Sequence, residues 1–345
     1  MTKTHQIAVI GGDGIGPEVT TEALKVLRAT GFAFETTEFP FGAAHWHKTK
    51  EVLPDEAIEE MRKHDAILLG AVGDPTVPPG VLEKGILLKL RFALDLYINL
   101  RPVKLFPGVE TPLKGKGPDD IDIVIVRENT QDVYIGAGGG MHVGTPHEVQ
   151  LQVVAEARHG VERCVRFAFD QARKRGGRLD VCHKANVLTH AHGLWRRVFQ
   201  EHAEKNPDVK TGEVIIDALC MYLVTQPENY RTIVTTNMFG DIVADLGAGI
   251  AGGMGLAASA NLNPEGVSMF EPVHGSAPDI AGQSKANPIA AILSASHMLD
   301  ALGDTARAES IRGAVAVCLA EKRVNLTPGA MRTDQIGDKV AAALA

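Results

Sequence analysis

Asp241 and Asp245, in Gly240-Asp241-Ile242-Val243-Ala244-Asp245, follow Arg127, Tyr134 and Lys184 along one chain of 345 residues. In that order the chain offers an anion anchor, a phenol, an amine and two carboxylates one helical turn apart. If residues 240–246 begin a helix, the aspartates share a face, where like charges repel mildly. They read either as aspartates favoured by a helix dipole or as hard oxygen ligands for Mg²⁺ or Mn²⁺, whose charge removes the repulsion. Asp217, closing a short apolar run of its own, is a third candidate ligand. Arg91, Arg101 and Arg127 each read singly as solvated surface residues. All three nevertheless stand at the edge of an apolar segment, where an unpaired charge is costly, and a planar guanidinium suits a carboxylate better than lysine does. The set fits a multiply anionic acid held on a divalent metal, with groups to move its protons.

These residues fall where short apolar runs end. Residues 6–10 run into glycines and 16–29 follow with helical periodicity, a strand, a turn and a helix. Further strand-like runs at 66–69, 121–126, 178–181, 214–216 and 232–235 stop at or before Gly70, Arg127, His183, Asp217 and Asn237. Helical stretches at 54–63, 148–175 and 191–205 lie between them. The alternation predicts an α/β fold, in which ligand chemistry gathers beyond strand ends. Residues 11–16 are spaced G-G-x-G-x-G rather than G-x-G-x-x-G, so a tight strand-to-helix turn led by Pro17 competes with a dinucleotide loop. Residues 137–146 are glycine-rich and read as a surface loop.

Composition narrows the class. With 45% hydrophobic and 22% charged residues the chain is ordinary for a soluble globular protein, and its length suggests two domains or one large α/β unit. A net charge of −7 argues against nucleic-acid or membrane-surface partners. The four cysteines show no CxxC and read as small buried hydrophobes in a reducing cytoplasm. Residues 246–263 lack charge but are too weakly apolar to span a bilayer, and the first apolar run is too short for a signal peptide. A soluble, cytoplasmic protein is expected.

Arg127-Glu128-Asn129-Thr130, Tyr134, His183-Lys184-Ala185-Asn186 and the Asp241/Asp245 segment, in this order, resemble the β-hydroxyacid oxidative decarboxylases, the isocitrate and isopropylmalate dehydrogenase family. The resemblance extends from Gly11-Gly12-Asp13-Gly14-Ile15-Gly16-Pro17-Glu18 to His274-Gly275-Ser276-Ala277-Pro278-Asp279-Ile280-Ala281-Gly282. It implies a two-domain α/β fold with a mixed central sheet, not a Rossmann fold. Residues 1–98 plus 252–345 would form a discontinuous cofactor-binding domain. Residues 99–251 would form a substrate and dimerisation domain, with an arm near 137–152 clasping the partner of a homodimer. Mg²⁺ or Mn²⁺ would sit on Asp217, Asp241 and Asp245, and substrate carboxylates on Arg91, Arg101 and Arg127. Tyr134, Lys184 and Asp217 would be catalytic, the last two coming from the neighbouring subunit. Near a metal and arginines the lysine's pKa is expected to fall, as a base working near neutrality needs. NAD would contact Ile15, Glu271, His274, Gly275, Ser276, Ala277, Asp279, Ile280 and Asn287. Asp279 and Ile280 stand where NADP-preferring members carry Lys and Tyr, and a carboxylate there accepts from ribose hydroxyls but repels a 2′-phosphate.

Members differ mainly in the group on C3 of the substrate, read by the segment before Arg91. Leu87 and Leu88 align with the leucines that hold the isopropyl group in isopropylmalate members, a burial worth about 2 kcal/mol. The stretch 77–91 most resembles actinobacterial isopropylmalate members, which implies oxidative decarboxylation of 3-isopropylmalate to 2-oxoisocaproate in leucine biosynthesis. Three features depart from that pattern. The segment has one residue more between Glu83 and Arg91, residues 127–134 are closer to isocitrate, homoisocitrate and tartrate wording, and His183 precedes Lys184. Isocitrate, homoisocitrate, tartrate, D-malate or another 3-substituted malate are therefore the alternative substrates. A non-catalytic regulatory subunit is disfavoured by the retention of Tyr134, Lys184, Asp217, Asp241 and Asp245.

Overall fold

The computed structural model describes residues 3–327 and 329–344. The strands are β1 (His5–Gly12), β2 (Phe34–Glu38), β3 (Ala66–Ala71), β4 (Ile98–Lys104), β5 (Asp122–Glu128), β6 (Gly138–Met141), β7 (Val149–Gln152), β8 (Arg178–His183), β9 (Lys210–Ile215), β10 (Thr232–Thr235), β11 (Ala258–Leu262) and β12 (Ser268–Pro272). The helices are α1 (Gly16–Ala29), α2 (Ala43–Thr49), α3 (Asp55–Met61), α4 (Lys89–Ala93), α5 (Arg158–Lys174), α6 (Ala191–Lys205), α7 (Ile216–Thr225), α8 (Asn237–Ile250), α9 (Ile289–Ala301), α10 (Thr305–Ala320) and α11 (Thr333–Ala342).

The chain divides into two compact units. The first holds Met1–Leu96, Lys104–Pro118 and Ala248–Ala345, so it takes in residues 104–118 from inside the expected middle domain. Its strands run β2-β1-β3-β12-β11. All neighbours are parallel except β11 and β12, which makes the sheet mixed. Strand β3, Ala-Ile-Leu-Leu-Gly-Ala, is buried throughout, as a parallel strand covered on both faces should be. Helix α9 is apolar nearly all round and buried, the signature of a core helix. Its Ser294 hydroxyl is satisfied, with the carbonyls of Ala290 and Glu271 both at 2.8 Å as acceptors for its one proton.

The second unit holds Tyr97–Val103 and Asp119–Gly247, with strands in the order β4-β5-β10-β8-β9. Helix α5 buries Val161, Cys164, Val165, Ala168, Phe169 and Ala172, spaced by three and four along one face. Trp195 and Phe199 of α6 are buried in the same unit, and Phe169 packs against Phe199 with ring centres 5.7 Å apart and planes tilted by 30°. The four cysteines are free thiols, three buried and Cys220 half-buried.

The structure departs from the sequence reading in two places that matter for the site. The stretch 148–175 is not one helix: Val149–Gln152 pairs antiparallel with Gly138–Met141 as an exposed hairpin, and the helix starts at Arg158. The strand expected at 214–216 is Lys210–Ile215, which places Asp217 in the first turn of α7 rather than at a strand end.

Candidate active site

Helix α8 sets out the acidic groups of the second unit. Asn237, Asp241 and Asp245 are four residues apart and stack down one face. Arg127 and Arg101 project from the adjacent strands β5 and β4. Arg127 is only 1% exposed. It donates from Nε and Nη2 to Asn237 Oδ1 at 2.9 and 2.7 Å, and from Nη1 to Asp241 Oδ1. Gly240 makes room for it, since a Cβ there would lie 2.5 Å from Arg127 Cγ. The Tyr134 hydroxyl donates to the other oxygen of the same carboxylate, Asp241 Oδ2, at 2.7 Å. Arg101 is buried, donates to Asn99 Oδ1 at 2.6 Å and lies 4.0 Å from Asp245. Sequence reasoning missed Asn237 and Asn99. Gly240 was the available signal for the first, a residue without a side chain where a buried arginine must pass.

Burial pushes the Asp245 carboxyl above the usual range, Arg101 opposes this, and the charge of Asp241 adds to it. The Asp241 and Asp245 side chains are 40% and 57% exposed and carry the hard oxygens that Mg²⁺ and Mn²⁺ take. A dication there would favour the ionised Asp245 that burial and Asp241 disfavour, so the residues fit the group. Among the described residues of one chain, no three His, Cys, Asp or Glu gather to hold a metal.

Asp217 sits instead beside Lys184, whose ammonium pairs with it and holds its carboxyl below the usual range. The backbone around this pair is fixed by two imidazoles. Lys184 N donates to His192 Nδ1 at 2.9 Å and Ala185 N to His183 Nδ1 at 3.1 Å. Burial pushes His192 down to about 4 and lowers His183, which keeps both rings neutral acceptors. A cleft of ≈ 460 Å³ lined by His183, Asn186, Arg196, Glu213 and Tyr222 adjoins them. His192, eight residues from its partner, had no spacing signal in the sequence.

In the first unit Arg91 is buried in α4 and donates to Glu271 Oε1 at 3.2 Å, an oxygen that also accepts from Asn261 at 2.9 Å. Glu271, expected among the cofactor residues, is therefore the counter-ion of Arg91, an arginine expected to hold the substrate. Leu87 and Leu88 are half-buried at the end of a π turn, Glu83–Leu88, that runs directly into α4. A turn closed i to i+5 takes one more residue than an α turn, so the additional residue expected before Arg91 would fit here. Lys89 is directed away along the chain: its ammonium is 2.7 Å from the Leu53 carbonyl and 2.6 Å from Asp55. Lys84 is exposed.

Of the expected cofactor residues, His274, Gly275, Ser276, Ala277, Asp279 and Ile280 lie in a loop after β12, and Glu271 lies in β12 itself. Ile15 N donates to the Ser276 carbonyl at 2.8 Å. His274 is lowered by burial, Asp279 is exposed in the turn that follows, and Ile280 is half-buried. Gly275 is exposed and Ala277 has φ +40°. Asn287 Oδ1 accepts from Ile289 N at 3.0 Å at the entry to α9. The glycine motif is a tight strand-to-helix turn, with Pro17 in the first turn of α1.

The chain belongs to the isocitrate/isopropylmalate dehydrogenase family, whose sequence pattern matches residues 6–340. It is thus a member of a family of decarboxylating oxidoreductases. Among its relatives, the 3-isopropylmalate dehydrogenase of Thermobifida fusca is 56% identical over 98% of this chain and 97% of its own length. That of Nocardia farcinica is 53% identical over 98% and 100%. Among solved structures, isocitrate dehydrogenase from Methylococcus capsulatus superposes with a TM-score of 0.91 at 35% identity, covering 99% of both chains. The α/β fold with a mixed sheet is confirmed. No helix of the described residues is long and apolar enough to cross a membrane.

Proposed function

We propose that the chain oxidatively decarboxylates 3-isopropylmalate to 2-oxoisocaproate, using NAD and Mg²⁺ or Mn²⁺, as a homodimer in the cytoplasm. The observation that carries the substrate assignment is the segment before Arg91. Leu87 and Leu88 present apolar surface there, and the nearby Lys89 is committed to Leu53 and Asp55. A C3 arm ending in a carboxylate would be stranded against the leucines, whereas an isopropyl group gains from them. The relatives named 3-isopropylmalate dehydrogenase support the same reading.

When bound, NAD accepts a hydride and the divalent cation acts as a Lewis acid toward the substrate's oxygens. Asp241 and Asp245 would hold the cation, with Asp217 of a second copy as the third carboxylate. Arg91, Arg101 and Arg127 hold the two carboxylates, each already fixed by a neighbour: Glu271, Asn99 and Asn237. Lys184 of the second copy, as the neutral amine, would take the C2 hydroxyl proton as the C2 hydrogen leaves with its electron pair. After the C3 carboxylate leaves as CO₂, Tyr134 returns a proton to C3, from a hydroxyl oriented by Asp241.

Exposed apolar side chains on α7 (Met221, Val224), α8 (Ile242) and the β6–β7 hairpin (Met141, Val149, Leu151) support a dimer built on the second unit. By the same reading the first unit binds the cofactor. Asp279, exposed in its turn, favours NAD over NADP. The test is NADH production from isopropylmalate, isocitrate, homoisocitrate, malate and tartrate in parallel.

A further inference from the structure

Asp13, inside the glycine motif, has no part in the function as assigned so far, yet it is buried and both its carboxylate oxygens are engaged. Oδ1 accepts from Ala43 N at 2.7 Å and Oδ2 from Gly73 N at 3.0 Å. Its own backbone N donates to the Ala71 carbonyl at 2.7 Å, and its carbonyl accepts from Gly16 N at 2.9 Å. One side chain thus ties three segments of the first unit together: the β1–α1 turn, the start of α2 and the loop after β3.

Two of those segments reach the same residue. Gly14 lies directly on the Ser276 carbonyl, where a Cβ would be 1.9 Å from the oxygen, and its φ of +57° also calls for glycine. Ile15 N then donates to that carbonyl at 2.8 Å. Gly73, whose N–H is held by Asp13, is the other route: a Cβ on it would stand 3.5 Å from Ser276 Oγ and 3.2 Å from Glu83 Oε1. The loop carrying Ser276 therefore rests on the Gly14–Ile15 turn and has Gly73 close beside its hydroxyl; Asp13 belongs to the first and holds the N–H of the second.

We propose that Asp13 is a positioning residue for the cofactor: by clamping the Gly14–Ile15 turn and Gly73 about Ser276, it holds the His274–Ile280 loop in the form that binds NAD. The proposal rests on the reading of that loop as the cofactor loop. A carboxylate is required because two backbone donors approach it. Asparagine offers one acceptor oxygen, and its amide would set a donor against the second N–H. Hydrogen bonds to an ionised acceptor are also the stronger kind.

The test measures NADH binding by calorimetry with Mn²⁺ present, alongside KM for isopropylmalate and thermal midpoint, for wild type, Asp13→Ala, Asp13→Asn and Gly14→Ala. Asp13→Ala should weaken NADH by about tenfold or more, equivalent to about 1.4 kcal/mol. Asp13→Asn should fall between it and wild type. Gly14→Ala, which pushes on the Ser276 carbonyl from the other side, should reproduce the loss, and it carries the test if Asp13→Ala does not fold. KM for isopropylmalate should stay within about twofold. NADH affinity within about twofold of wild type in both Asp13 variants would overturn the proposal. Equal rises in the NADH dissociation constant and the hydroxy-acid KM would overturn it too, since that is general loosening. A wild-type protein that binds no NADH would overturn the cofactor-loop reading and this proposal together; wild-type binding with unaffected variants overturns the proposal alone.

Discussion

The Tyr134 hydroxyl donates to Asp241 at 2.7 Å while Arg127 occupies the other oxygen of the same carboxylate. One side chain of α8 thereby orients both the group proposed to protonate C3 and the buried guanidinium proposed to hold the substrate. Arg127 also stands 5.2 Å from the Tyr134 ring centre, so the phenol is held at its ring as well as its tip.

Removing only the hydroxyl should therefore affect chemistry more than binding. Tyr134→Phe should lower kcat by about 10²- to 10³-fold, with KM for isopropylmalate within about threefold. Steady-state kinetics decide this. A KM rise that accounts for the whole loss would instead make Tyr134 a binding group.

Much of this arrangement was legible in the sequence because it is local. Asp241 and Asp245 share a face by their spacing alone, and Thr232–Thr235 was bounded by its apolar run. The long-range partners of the arginines were not legible. Glu271 lies 180 residues from Arg91 and Asn237 lies 110 from Arg127, and no periodicity links groups brought together by sheet order. The hairpin was missed for a related reason. Val149-Gln150-Leu151-Gln152 alternates as a strand does, but its partner is the glycine run 138–140 with Met141, which carries almost no side-chain pattern.

Cofactor preference should follow the exposed Asp279. A 2′-phosphate brought against that carboxylate should cost more than about 1.4 kcal/mol, so kcat/KM for NAD should exceed that for NADP by well over tenfold. Asp279→Lys should narrow the ratio. Equal use of both cofactors by the wild type would mean that Asp279 does not meet the adenosine ribose.

The proposed sharing of the site between two subunits predicts complementation. Lys184→Ala and Tyr134→Ala homodimers should each be nearly inactive. Subunit exchange between them should restore activity, because one of the two sites in a heterodimer carries neither lesion. Heterodimers demonstrated by mass spectrometry without recovered activity would place each site within one chain.

Glu156 offers a pH prediction away from the chemistry. Burial first, and the charge of Glu128 next, raise its carboxyl from 4.5 to about 9. The folded chain then holds a proton that the unfolded chain releases above about pH 4.5, so this group's contribution to stability falls as pH rises through 4.5 to 9. Glu156→Gln should remove that slope, with its melting temperature gaining on the wild type between pH 5 and pH 8.5. Parallel melting profiles would show that Glu156 ionises normally.

The assignment stands most directly on which acid is turned over. With NAD and Mn²⁺, NADH production should give 3-isopropylmalate the highest kcat/KM of a panel including isocitrate, homoisocitrate, malate and tartrate. The isopropyl contact of about 2 kcal/mol with Leu87 and Leu88 should set it roughly 30-fold above unsubstituted malate. Leu88→Arg should lower isopropylmalate selectively. Faster turnover of isocitrate or homoisocitrate than of isopropylmalate would contradict the assignment and show that a donor, Lys84 or Lys89, reaches the C3 arm.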